Sequence, residues 1–238
     1  MCRLGTIRPK ANNRAVRKRG ENKMAKITIF GKGNMGSAIG ENFAKAGNEV
    51  AYVTDKDEAG VLGPIVVLAV PYAAVPSVIA KYKDLLAGKI IVDITNPVDF
   101  KTFDSLVVPA DSSAAAIIAK QLPTATVVKG FNTTFAATLV SGTVAGVTKT
   151  TVLLASDSKE AKAAVAKALE NSGLAMIDVG SLKRARELEA MGFLQISLAA
   201  AGKLGWDGGL GIIGSLTYPP SNNPIVKGKQ RLSLPCLP

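Results

Sequence analysis

The sequence predicts an α/β fold, a doubly wound and mostly parallel sheet with a C-terminal helical part, and three observations carry that prediction. Apolar residues make up 47% of the chain but aromatics only 5%, so the apolar content is chiefly the small and β-branched residues that suit a sheet buried on both faces. Short β-branched runs alternate with segments of helical period. The first run passes through a glycine-rich turn straight into the first helical segment.

In chain order, Ile27–Phe30 reads as a buried strand leading into Gly31-Lys32-Gly33-Asn34-Met35-Gly36. Met35, Ile39, Phe43 and Ala46 then form one apolar helical stripe, which Gly47 ends. Glu49–Val53 is the second strand. Only the polar stretch Thr54–Gly60 and a few further residues precede strand Ile65–Val70, so a crossover helix is shortened or missing there. Pro71 stops that strand, and Ala73–Tyr82 reads as helix with Pro76 inside it. Strand Lys89–Ile94, helix Ala114–Gln121 and strands Thr126–Lys129 and Thr151–Ala155 follow. Asp157 is the predicted cap of helix Lys159–Glu170, which Gly173 closes before strand Ala175–Val179. Leu182–Leu204 reads as the longest helix. From Met191 it is apolar nearly all round and is expected to be buried in a core or against a second subunit.

Charge and composition exclude several function classes. The net charge is +11, but residues 1–23 carry +7 of it and residues 215–238 carry +3, leaving a near-neutral body. A basic tail reads as a disordered end rather than a nucleic-acid surface, so no nucleic-acid partner is expected. With no histidine, the chain has no Ser-His-Asp or Cys-His catalysis and no histidine metal ligand. Cys2 and Cys236 lie in the tails, so no metal site is expected and a reducing cytoplasm fits. No apolar run reaches membrane-spanning length, and no membrane partner is expected.

The glycine turn carries the chemistry. In a strand–turn–helix context, Gly31 permits the tight turn, Gly33 lets a diphosphate approach bare backbone, and Gly36 lets helix and strand pack closely. Lys32, Asn34 and Met35 complete the turn, and the helix N-terminus offers free N–H groups to phosphate. The reading is a Rossmann dinucleotide site. At the second strand end, where NAD sites place an acid, Thr54 stands instead. Thr54 can donate to a 2′-phosphate and Lys56 can pair with it, so NADP is favoured over NAD, although Asp55 opposes it. The other strand ends present Val70-Pro71-Tyr72, Thr95-Asn96-Pro97 and Lys129–Thr134. Val70, Pro71, Asn96, Pro97 and Asn132 are candidate cofactor contacts, with Asn132 and Tyr72 the hydride-site candidates. Lys129 reads as a strand-end surface charge, with general acid as the alternative.

These same segments, Gly31–Gly36, Leu68–Tyr72, Val92–Pro97 and Val128–Thr133, resemble the NADPH:coenzyme F420 oxidoreductase-like family, and the chain is also similar to the N-terminal domain of pyrroline-5-carboxylate reductases. The closing stretch Leu182–Ile213 resembles the family's C-terminal part. The resemblance implies hydride exchange between NADP(H) and a deazaflavin, coenzyme F420, and a homodimer through the C-terminal part; a flavin or a metal chelate is the alternative acceptor, which a resemblance to ferric-reductase nucleotide domains would allow. The family commonly has arginine after the position of Thr54, where this chain has Asp55. The expected organisation is a basic disordered tail at 1–23, a Rossmann NADP-binding domain at 24–180, a helical dimerisation part at 181–214 and a disordered tail at 215–238. Lack of histidine favours transfer to a stacked planar acceptor over carbonyl reduction, which needs a placed proton donor. Two alternatives stand beside it: a reductase of a small imino or keto acid using Tyr72 or Lys129, and a non-catalytic NADP(H)-binding regulator.

Overall fold

The computed structural model describes residues 24–214, so the readings of both tails, and of Cys2 and Cys236, lie outside the described residues. Strand β1 (Lys26–Phe30) runs through the glycine turn into α1 (Asn34–Lys45), and β2 (Glu49–Val53) returns parallel to β1. The chain then crosses without a helix to β3 (Ile65–Leu68), on the other side of β1. Beyond it lie α2 (Val75–Leu86), β4 (Ile90–Asp93), α3 (Ala114–Gln121) and β5 (Thr126–Lys129). After β5 come α4 (Ala136–Ser141) and the hairpin β6 (Thr143–Val144) and β7 (Thr148–Lys149). The fold closes with β8 (Thr151–Ala155), α5 (Lys159–Ala168), β9 (Ala175–Gly180) and α6 (Ala185–Ala200).

The main sheet has seven strands in the order β2-β1-β3-β4-β5-β8-β9. Every pairing is parallel except β5 with β8. Strand order reverses beside β1, which opens a crevice at the carboxyl ends of β1 and β3, where ligands of such sheets bind. Burial on both faces follows from period-two alternation. Ile27, Ile29, Val67, Val92 and Val128 pack on one face with α1 and α5. Phe30, Val66, Leu68, Ile91 and Val127 pack on the other with α2 and α3.

Several boundaries differ from the sequence reading. The third strand ends at Leu68, two residues early. Tyr72–Ala74 is a 3-10 turn, and Pro76 lies in the first turn of α2, where a missing N–H costs nothing. The fourth strand spans Ile90–Asp93 rather than Lys89–Ile94. Ser158, not Asp157, caps α5 by accepting from Ala161 N–H, and that helix ends at Ala168. Asp157 instead accepts from Leu182 N–H at 3.0 Å. The last helix begins with a 3-10 turn and stops at Ala200, short of Leu204. Its second half is not sealed: Leu194 is 56% exposed whereas Gln195 is 3% exposed. Gln195 turns inward because its amide donates to the Thr133 carbonyl and accepts from Leu210 N–H. No helix among the described residues is long and apolar enough to cross a membrane.

Candidate functional site

Two cavities open along the carboxyl edge of the sheet. They share Val70 and divide the glycine turn between them. One, of 560 Å³, is lined by Gly31, Lys32, Thr54, Asp55, Ser77 and Lys81 among others. The other, of 540 Å³, takes Gly33, Asn34, Met35, Pro71, Tyr72, Thr95, Asn96 and Asn132, and is walled by Phe100, Phe103, Phe135 and Trp206.

The turn has the shape that a diphosphate needs. Gly31 sits at φ +99°, and any side chain there would run into the Ala69 carbonyl of the next strand. Gly33 is different. Its φ of −74° is open to any residue, and a Cβ on it would meet nothing within 4 Å. The space in front of Gly33 is therefore a cradle, bordered by the first-turn N–H groups of α1 that have no intrahelical acceptor. Gly36 lines neither cavity; it packs α1 against Gly31 and Ala69.

At the end of β2, Thr54 points its hydroxyl proton at Asp57, at 2.7 Å, and its backbone N–H binds the same oxygen at 2.8 Å. Those bonds hold the Asp57 carboxyl below the usual carboxylate range. Lys56 does not line the cavity, contrary to its expected role; its backbone folds back toward Thr54. The lining cations are Lys32, whose ammonium lies 5.1 Å from the Tyr52 ring centroid, and Lys81, paired with Glu58 at 2.9 Å.

The second cavity is built by α6 and by paired strand ends. Asp93 and Lys129 are register partners on β4 and β5. Three residues further along each strand end stand Asn96 and Asn132, whose side chains meet: Asn132 Nδ2 donates to Asn96 Oδ1 at 2.9 Å, and Asn96 Nδ2 donates to the Asn132 carbonyl at 2.8 Å. Phe131, fully buried at φ +62°, holds the backbone in the left-handed region just before Asn132. That strain at a bulky residue is tolerated where packing over-determines the chain, as it does against Phe43. Gly192 of α6 presses on this pair, and a Cβ there would fall against Asn96 Oδ1 and the Asn132 carbonyl. Pro97 is buried outside the cavity, with its carbonyl accepting from Val107 N–H.

Lys129 is the largest correction. It is not a surface charge but fully buried, with its ammonium at 2.8 Å from both Asp93 and Glu189. Glu189 also accepts from the N–H groups of Ala114 and Ala115 at the start of α3. The cluster pins α6 and α3 to the sheet beside the cavity without lining it. Burial pushes the Glu189 carboxyl above its ordinary value, partly opposed by Lys129. Burial also raises the Tyr72 phenol, and Glu189 adds to this, so Tyr72 stays a neutral donor near pH 7.

The structure thus brings Gly31, Lys32, Thr54 and Val70 to one cavity, and Gly33, Asn34, Met35, Val70, Pro71, Tyr72, Asn96 and Asn132 to the other. The sequence reading missed Lys81 and the aromatic wall. The available signal was that Phe100, Phe103 and Trp206 lie in unpatterned loops of a chain poor in aromatics. Trp206 packs against Phe135 with ring centroids 4.9 Å apart and planes tilted by 59°, and Ser197 of α6 ties down the loop carrying Phe103 through its carbonyl. No cluster of three or more metal-ligating side chains exists among the described residues.

A family model described as NADP oxidoreductase, coenzyme F420-dependent, matches residues 53–97, from the end of β2 through Pro97. Metalloreductase STEAP3 of Rattus norvegicus is 35% identical over 142 residues, 60% of this chain and 28% of that protein. The F420-dependent NADP reductase of Methanocaldococcus jannaschii is 30% identical over 148 residues, 60% of this chain and 66% of its own length. A crystal structure from Arthrobacter sp. FB24, of a candidate F420-dependent NADP reductase, superposes with a TM-score of 0.69 at 27% identity, over 80% of this chain and all of that one. The chain therefore spans just over a quarter of the rat relative and just under two thirds of the archaeal one.

Proposed function

We propose that this chain, which is similar to the NADPH:coenzyme F420 oxidoreductase-like family, transfers hydride between NADP(H) and a planar heteroaromatic acceptor, a deazaflavin or flavin. One observation carries the reading. The cavity beyond the glycine turn is walled by aromatic side chains and lined by no charged residue. A bound reduced nicotinamide would supply the hydride, so what the protein must contribute is alignment of two rings and exclusion of water. Phe100, Phe103, Phe135 and Trp206 provide flat apolar walls for stacking. The Gly33 cradle and the first turn of α1 would hold the diphosphate.

The same lining weighs against a small imino or keto acid. The carboxylate of such a substrate needs a cation, and none lines the cavity. Lys129, the alternative acid, is sealed between two carboxylates. Stopped-flow NADPH oxidation tests the reading: rapid turnover is expected with a flavin or deazaflavin and none with imino or keto acids. The reverse pattern rejects it, and tight dinucleotide binding without turnover of any acceptor selects the regulator instead.

For the adenosine end we propose that Lys32 and Lys81, rather than Lys56, receive the 2′-phosphate. Both line the first cavity, and the Thr54 proton is already committed to Asp57. Replacing both lysines with alanine is expected to weaken NADPH binding about 30-fold, the scale of one or two charge-assisted hydrogen bonds. NADH binding should change by less than about twofold, since NADH lacks that phosphate. Calorimetry with both dinucleotides measures the split, and equal losses would remove the assignment.

A further inference from the structure

Asn132 is 4% exposed and lines the acceptor-end cavity, and its Oδ1 is the buried side-chain polar atom among the described residues that has no hydrogen-bond partner. An unpaired buried acceptor is costly, so this atom calls for a partner from outside the protein. Its orientation is not free. Nδ2 donates to Asn96 Oδ1 at 2.9 Å and to the Leu188 carbonyl at 2.8 Å. Turning the amide over would set Oδ1 against two acceptors. Asn96 cannot turn either, because its own Nδ2 donates to the Asn132 carbonyl. Two amides, one carbonyl of α6 and the close approach of Gly192 therefore fix Oδ1 as an acceptor that the protein's own donors leave unpaired.

We infer that Asn132 Oδ1 accepts a hydrogen bond from an amide-type N–H of the bound ligand, and that the donor is the carboxamide of the nicotinamide. This rests on the reading that the aromatic-walled cavity receives the nicotinamide end. A ring imide N–H of a planar acceptor shares the same chemistry and is separated from the carboxamide by the test. Asn132 is on this account a positioning residue: anchoring one substituent fixes how the ring lies between the aromatic walls. A ligand with only acceptor atoms at that point would leave two lone pairs opposed and bind poorly.

The experiment is calorimetric titration of the full chain with NADP⁺ and with its 3-acetylpyridine analogue, in which a methyl group replaces the carboxamide nitrogen. A second pair is riboflavin and N3-methylriboflavin. The wild type should bind the acetylpyridine analogue about tenfold more weakly than NADP⁺, the worth of one buried hydrogen bond. In Asn132→Ala and Asn132→Ser that ratio should fall to near one. A tenfold ratio in the flavin pair alone, lost in the variants, assigns the ring N–H as donor and overturns the carboxamide. A wild-type ratio near one in both pairs overturns the inference outright and needs no variant to fold. Failure of NADP⁺ itself to bind would count against the dinucleotide reading rather than against Asn132.

Discussion

Gly33→Val is expected to weaken NADPH binding at least about 100-fold, about 2.7 kcal/mol, while the protein stays folded. The two halves of that outcome have separate causes. Nothing in the fold lies within 4 Å of a Cβ at Gly33, and its φ is an ordinary one, so valine strains no backbone and strikes no neighbour. Gly33 is the N-cap of α1 but makes no side-chain cap bond. Valine there costs about 1 kcal/mol in capping preference, or a few degrees of melting temperature for a chain of this size. The isopropyl group would instead fill the cradle in which a diphosphate has to meet backbone N–H groups. Gly31→Val makes the control. There the positive φ and the Ala69 carbonyl oppose any side chain, so stability should be lost along with binding. Calorimetry and thermal melts of both variants separate a site effect from a folding effect. Unchanged NADPH affinity in Gly33→Val would dissolve the proposed site.

The parts of this fold that were legible are those whose signals are local. The glycine turn, five parallel strands and the missing second crossover follow from runs of six to twelve residues, because strand burial and helical stripes repeat within such a window. Helix α4 was not legible: six residues give less than two full turns of periodicity, and its neighbouring hairpin strands have two residues each. The cap of α5 slipped by one residue because Asp157 and Ser158 are both good caps and only geometry chooses between them.

What no single window contains is pairing. Lys129 looks like a surface lysine until β4 and β5 come into register, which sets it beside Asp93, thirty-six residues back. The amide pair Asn96 and Asn132 arises from the same register three residues on. The apolar run from Met191 was expected to be buried in a core or against a second subunit; within this chain Gln195 faces inward, as does Glu189 just before the run, while Leu194 faces out. Here hydrogen-bonding need at the site overrode hydrophobic order, and such local inconsistencies gather where function is built.

Lys129→Met should be the most damaging change outside the cavities, costing about 3–5 kcal/mol. It leaves two carboxylates, Asp93 and Glu189, buried without their shared cation. Glu189→Gln should cost less, because the Lys129–Asp93 pair survives, although the new NH₂ group must face a donor now answered by carboxylate, the N–H of Ala114 or Ala115. The same glutamine should alter the pH dependence in a defined sense. Burial raises the Glu189 carboxyl in the folded protein above its unfolded value. The folded state therefore binds this proton more tightly than the unfolded state. Its contribution is fully present below the unfolded glutamate value, near pH 4.5, and is lost as pH rises through the raised folded value. With Glu189 protonated the cluster is neutral; with it ionised two carboxylates share one ammonium. The stability difference between wild type and Glu189→Gln, measured by denaturant unfolding, should thus shrink steadily as pH climbs from about 4.5 toward neutrality. A difference that instead grows over that range would mean that Lys129 and the two α3 amides over-compensate burial, and that Glu189 is held as a stable anion rather than a strained one.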